Sequence, residues 1–221
     1  KKCKRPLAAG KLSVPWAISL FFVLLAMGLL VALNLPNAFL LYCIIYLAFN
    51  FSYTVSLKQY PLIDVFILAT FYVVRLFAGG AATDVFISDW LKIFSMFIFM
   101  SLGFLKRYSE RLRVQSLSKH EGFGRGYSNQ DLTVLLCFGI SSGFLSCLTL
   151  GLYLFLTTSQ QLYSHPQILW VITVLMLYWI SSLWMRASKD QVDDDPVSFA
   201  IKDRTSQVLM LMIVLLFAAA T

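Results

Sequence analysis

The chain has 221 residues, of which 59% are hydrophobic and only 13% charged, with a net charge of +7 and a mean hydropathy of +0.75. A soluble domain of this size cannot hide so much apolar surface. The composition also excludes a disordered chain and a disulfide-stapled secreted scaffold, leaving an all-α, polytopic membrane helical bundle. A bilayer core of about 30 Å takes about 20 apolar residues in a helix. Seven stretches qualify, at roughly 13–33, 38–56, 62–80, 89–105, 131–157, 167–185 and 206–220. The second and last are short for a full span, and the fifth is long enough to tilt or project. Alternation at period two, the mark of a β-barrel, is absent. Cys3, Cys43, Cys137 and Cys147 lack metal-site spacing, and His120 and His165 fall in separate loops.

The Lys and Arg residues orient these spans. If every span crosses, 16 of the 18 basic residues fall on one face, in loops near 1–12, 57–61, 106–130 and 186–205. The opposite loops carry none; Lys92 sits at the far end of the fourth span and Arg75 lies within the third. The basic face is therefore expected to be cytoplasmic. Nine of the eleven acids share that face or its border, which topology alone does not require. Mixed charge of this kind suits a pocket in which acids hold a divalent cation and bases hold phosphates.

Several segments could carry such chemistry. In KKCKRPLAAG, Lys2 and Arg5 could grip a phosphate or simply anchor the orientation. In YTVSLKQYPLIDV, Tyr53 and Lys58 sit at the rim, Pro61 suits the first turn of a helix, and Asp64 follows in a position that favours the helix dipole or a metal. Arg75 lies eleven residues further on, roughly 16 Å along a helix, too far to pair with Asp64. At that depth it faces protein, a cavity or an anionic group. FLKRYSE carries Lys106, Arg107 and Glu110, with Lys106 and Glu110 in i, i+4 register if the helix continues. GFGRGYS adds Arg125 and Tyr127 in a glycine-rich loop. In DDDPVSFAIKDR, Asp193, Asp194 and Asp195 precede a Pro-started helix, with Asp195 as its N-cap, and Asp203 and Arg204 close the segment.

RPLAAG, followed by apolar helices, resembles the UbiA-type intramembrane prenyltransferase superfamily. YTVSLKQYPLIDV, VVRLFAGG, FLKRYSE and DDPVSFAIKDR look like its polyprenyl-phosphate (decaprenyl-phosphate) phosphoribosyltransferase branch. The resemblance implies nine helices, seven of them here. It also implies an aspartate-rich NDxxDxxxD motif upstream of RPLAAG, so a chain opening at Lys1 reads as N-terminally incomplete, residues 1–221 forming a single transmembrane domain. Where the superfamily carries a second aspartate-rich motif, this chain has KRYSE, a departure that favours the phosphoribosyl branch.

That branch transfers 5-phosphoribosyl from phosphoribosyl pyrophosphate to a polyprenyl phosphate and releases pyrophosphate. It implies Mg²⁺, the bilayer and two anionic substrates as partners, no nucleic acid, and a multi-pass bacterial inner-membrane location with the site facing the cytoplasm; a homo-oligomer is left open. By role, Lys2, Arg5, Tyr53, Lys58, Arg75, Lys106, Arg107, Arg125, Tyr127 and Arg204 are the substrate-binding candidates. Asp64, Glu110, Asp193, Asp194, Asp195 and Asp203 are the metal candidates. No side-chain nucleophile is required. An Arg107→Ala change is then expected to raise the apparent Michaelis constant for the pyrophosphate substrate or abolish turnover, without unfolding the protein. The rivals are prenyl transfer to an aromatic acceptor and a non-catalytic transporter.

Overall fold

The computed structural model describes residues 7, 9–116, 126–156, 163–192 and 195–220. Among the described residues eight α-helices follow in chain order: α1 (Val14–Leu33), α2 (Asn37–Val55), α3 (Ile63–Thr83), α4 (Asp89–Ser116), α5 (Leu132–Phe155), α6 (Trp170–Ser188), α7 (Pro196–Lys202) and α8 (Arg204–Ala220). Among the described residues no strand occurs. The protein is an all-α helical bundle of membrane type, as its composition requires.

Among the described residues five helical segments are long and apolar enough to cross a bilayer: α1, α2, α3, α5 with the 3₁₀ turn before it, and α6 with the turn before it. The α7–α8 pair, bent by 78° at Asp203, makes a sixth if counted as one broken span. By length and apolar composition, five or six of the seven expected spans therefore qualify, and α4 is the one set apart. Lys92, Lys106, Arg107 and Glu110 give it too much charge for a lipid-facing span. It survives among apolar helices because its neighbours cover it. Its most extensive contact is with α5, followed by α3, and it also touches α6 and α7. With 28 residues, α4 is about 42 Å long at 1.5 Å per residue, so its basic end projects past a bilayer core of about 30 Å.

The main core lies where α4, α5 and α6 meet. Phe104, Leu105, Tyr108, Leu135, Ile180, Leu183 and Trp184 are buried there. Gly139 and Gly143, spaced four apart on α5, let the helices approach closely. A Cβ on Gly139 would sit 2.1 Å from the Trp184 ring, and one on Gly143 would lie 2.7 Å from Ile180. The contact is tied by hydrogen bonds: Trp184 Nε1 donates to Ser101 Oγ at 3.1 Å, and Ser101 Oγ donates to the Gly139 carbonyl at 2.7 Å. In contrast, α1 is apolar all round and largely exposed. A helix with that pattern is one that a bilayer or further protein covers.

Chain order places the connections 56–62, 126–131 and 189–195 at one end of the bundle and 34–36, 84–88 and 163–169 at the other. Contacts confirm both ends. Arg113 Nη2 donates to the Val192 carbonyl at 3.0 Å at the first, and His165 N–H donates to the Ala220 carbonyl at 3.2 Å at the second.

The glycine contact yields a test. Gly139→Ala should destabilise the protein by about 1–3 kcal/mol, because an indole ring has no flexible end to move aside. Gly79→Ala, whose Cβ meets nothing within 4 Å, should be neutral or slightly stabilising. Thermal unfolding midpoints in detergent compare the two.

Candidate functional site

The turn that enters α3 creates the site. A short 3₁₀ turn (Leu57–Gln59) ends at Tyr60, and Ile63 N–H donates back to the Pro61 carbonyl at 2.8 Å across Leu62. Leu62 sits at φ 67° and ψ −50°. Pro61 thus stands before the helix, in a tight turn, and not in the helical first turn expected from sequence: the positive φ at Leu62 interrupts any helix through it. Asp64 does fall in the first turn of α3. Its side chain is fully buried, so its charge must be paired.

The pairing comes from α4 and from the segment before α5. Arg107 Nε donates to Asp64 Oδ2 at 2.5 Å, and the Tyr127 hydroxyl donates to Asp64 Oδ1 at 2.6 Å. The Arg107 guanidinium continues outward, with Nη1 bonded to Glu110 Oε2 at 2.6 Å and Nη2 directed at the Tyr53 hydroxyl at 3.4 Å. The Arg107 side chain is 2% exposed, that of Asp64 0% and that of Glu110 32%. Five of the sequence-derived candidates, from four chain segments, therefore form one network. Burial, followed by the bond to the Asp64 carboxylate, pushes the Tyr127 phenol well above its ordinary pKa range.

The network revises the local pairing. Glu110 takes its bond from Arg107 at i, i+3, and the Lys106–Glu110 pair expected at i, i+4 does not form. A planar guanidinium already held by Asp64 presents a second fork edge to Glu110. Lys106 and Lys58 are half-buried beside these segments and have no ion-pair partner among the described residues. Arg107 is enclosed between two carboxylates, so its first partners are acids of its own chain.

Two other candidates belong to a second cluster. Asp203 Oδ1 accepts from Arg186 Nη1 at 2.6 Å, while its Oδ2 accepts from the Ser206 N–H at 2.9 Å and the Ser206 hydroxyl at 3.0 Å. Arg186 Nη2 also donates to Thr205 Oγ1 at 2.9 Å. Asp203 is thus a cap at the start of α8 and the counter-ion of Arg186. Burial works against its charge, but the Ser206 N–H and then the Arg186 guanidinium hold its carboxyl below the usual range. Arg186 was counted in sequence only as an orienting charge; its role needed a partner 17 residues away. Arg204 is exposed, and Asp195 is exposed at the N-cap of α7 without a side-chain capping bond.

Arg75 stands apart from both clusters. Its Nη2 donates to the Tyr46 hydroxyl at 2.5 Å, and the guanidinium lies 5.1 Å from the Tyr46 ring centroid and 5.2 Å from that of Tyr72. Beside it, α1, α2 and α3 line an apolar cavity of about 480 Å³ in which Arg75 is the one charged lining residue. Lys2, Arg5, Arg125, Asp193 and Asp194 lie outside the described residues. Among the described residues no group of three His, Cys, Asp or Glu side chains could hold a metal ion. Both oxygens of Asp64 are already bonded within the network.

Removing Arg107 would leave Asp64 buried without its counter-ion, which typically costs roughly 3–5 kcal/mol. Arg107→Ala should therefore lower the unfolding midpoint sharply, against the expectation that the protein's folding is untouched; an unchanged midpoint would contradict the buried pair. For Asp203 the sign follows from its depressed pKa. The contribution is present above the unfolded value of about 3.9 and is lost as pH falls through the lower folded value. The stability gap between wild type and Arg186→Met should be full at pH 7 and shrink below about pH 4, measured by unfolding in detergent across pH.

Comparisons with known proteins agree with this architecture. The chain is 32% identical over 217 residues, 98% of its length, to the uncharacterized protein y4nM of Sinorhizobium fredii, of which it covers 42%. It is 26% identical to the nodulation protein NoeC of Azorhizobium caulinodans over 95% of its length and 68% of NoeC. It is 32% identical to the decaprenyl-phosphate phosphoribosyltransferase of Corynebacterium glutamicum over 49% of its length and 33% of that enzyme. The chain thus spans less than half the length of the first and a third of the last. The model of the UbiA prenyltransferase family matches residues 1–213, and the chain belongs to that family.

Proposed function

We propose that this protein transfers 5-phosphoribosyl from phosphoribosyl pyrophosphate to a polyprenyl phosphate at the cytoplasmic face of a bacterial inner membrane. The observation that carries this reading is Arg107 held between Asp64 and Glu110 at the place where the superfamily resemblance expects an aspartate-rich motif. A motif of free aspartates suits a diphosphate bound through metal ions. Here one carboxylate is buried and neutralised, and the half-exposed one is oriented by an arginine. Such a group suits hydrogen bonds to the hydroxyls of a ribose. The similarity to a decaprenyl-phosphate phosphoribosyltransferase supports the same reading.

The division of labour follows from burial. Lys58 and Lys106, half-buried and without anionic partners among the described residues, take phosphate oxygens. Glu110 accepts from ribose hydroxyls and favours the positive charge that develops on the ribose as pyrophosphate leaves. The acceptor's phosphate oxygen attacks the anomeric carbon, the bond to pyrophosphate breaks, and no side chain forms a covalent intermediate. The apolar cavity beside Arg75 suits part of the lipid tail. Magnesium, expected from the resemblance, gains no ligand set from the described acids, and no step is routed through it.

The test uses the full-length protein in detergent or vesicles with ribose-labelled phosphoribosyl pyrophosphate and a polyprenyl phosphate. Label should enter the lipid fraction, and Glu110→Gln should cut that rate by about 10²-fold, the scale of losing a group aimed at developing charge. If prenyl diphosphate is consumed with an aromatic acceptor and ribose label stays aqueous, the prenyl-transfer reading replaces this one.

A further inference from the structure

The turn before α3 is strained. A γ-turn with positive φ at its centre is rare, and a bulky residue such as Leu62 adopts that conformation only where its surroundings over-determine it. Those surroundings are visible. The Leu62 N–H donates to the Tyr127 hydroxyl oxygen at 2.7 Å, and the same hydroxyl gives its proton to Asp64 Oδ1. One phenol therefore clasps the turn and the carboxylate behind it. Gly126 brings the neighbouring backbone in: its φ is 69°, and a Cβ there would lie 2.9 Å from Pro61 Cδ. The Tyr127 ring itself is buried in the main core.

We propose that Tyr127 is a positioning residue: its hydroxyl holds the strained Leu62 turn and sets the Asp64 carboxylate, so that Arg107, and through it Glu110, is presented at one place. The reasoning starts from the softness of an Asp side chain, whose terminal torsion is broad and two-fold. With the phenol in place, Oδ1 is taken and only Oδ2 faces Arg107 Nε. Without it, a buried oxygen loses its donor. The donor within the network able to replace it is Arg107 Nη2, which now reaches only 3.4 Å toward Tyr53. Rotation of Asp64 into a side-on pair with Nε and Nη2 would turn the guanidinium and shift the Nη1 contact that orients Glu110. Tyr127 touches no reacting atom on this account and acts through Asp64 and Arg107. The inference deepens the proposed function and rests on its placing Glu110 at the substrate, but it does not depend on which group is transferred.

The test is a double-mutant cycle in the full-length protein with Tyr127→Phe and Glu110→Gln, assayed with whichever donor the wild type consumes. Tyr127→Phe keeps the ring and removes only the hydroxyl. It should lower kcat at least tenfold with KM for the donor within twofold, the pattern of an interaction that matters in the transition state. In the Glu110→Gln background it should change kcat by less than threefold, because the route through Glu110 is already broken. Wild-type kcat in Tyr127→Phe, or losses that multiply in the double variant, would overturn the proposal. If Tyr127→Phe does not fold, Gly126→Ala displaces the same hydroxyl and should show the same kcat-selective loss; wild-type kcat in a folded Gly126→Ala would count against the clasp. A wild type that consumes prenyl diphosphate instead of phosphoribosyl pyrophosphate sinks the proposed function while this cycle still runs on that donor.

Discussion

Burying two opposite charges is favourable only if both ends are saturated with well-placed partners, and the Asp64–Arg107 pair imposes that condition on this fold. Asp64 meets it with Arg107 and Tyr127, and Arg107 meets it with Asp64, Glu110 and Tyr53. The partners come from the end of α2, the start of α3, the outer part of α4 and the segment before α5. None of these can shift by a helical turn without stranding a buried charge. The pair therefore sets the mutual register of four segments at one end of the bundle. It also gives a reason for the length of α4. Arg107 lies 18 residues beyond Asp89, about 27 Å along a helix, which brings it to the edge of an apolar layer of about 30 Å.

The protein keeps its arginines in different company at different depths. At the polar end, Arg107 and Arg186 each bind carboxylates, and the second pair fixes the bend between α7 and α8. In the middle of α3, Arg75 has a tyrosine hydroxyl and two aromatic faces instead. An aromatic face offers attraction without adding a second ion that would need solvating. The same residue type thus acts as a strut at the rim and as a charged residue lining an apolar cavity within the span.

Much of the fold was legible because it is local. Apolar runs predicted α1, α2, α3 and α5 to within a few residues, and both ends of α8 closely. The identities of Asp64, Arg107, Glu110, Tyr53 and Tyr127 were also readable, as polar residues at the ends of apolar runs. What stayed hidden was pairing. Lys106 and Arg107 are equally plausible partners for Glu110 on helical spacing, and only the presence of Asp64, 43 residues earlier, decides for Arg107. The strained turn at Leu62 was illegible for the same reason. Proline three residues before an acid reads as a helix start, and the hydroxyl that holds Leu62 otherwise is 65 positions away. The close α4–α5–α6 contact left one unread local signal, the Gly139-x-x-x-Gly143 spacing. The charges of α4 were legible too, but hydropathy counts a residue the same whether lipid or protein covers it, and that difference sets α4 apart from the other apolar stretches.

The arrangement changes what kind of site the polar end can be. On sequence, its basic residues outnumber its acids and Arg107 reads as a phosphate ligand. In the structure that arginine is divided between two carboxylates, Asp64 and Glu110, and its guanidinium is not turned outward as a free group. A second unit, Arg186–Asp203, is neutral. The pairing thus removes two arginines from the pool available to anionic ligands. A lysine is a compact, movable point charge, while an arginine fork is a fixed template. A site built this way combines a rigid anionic element, held through Arg107, with mobile cationic ones. That combination places the demand for geometric precision on the acid and not on the bases.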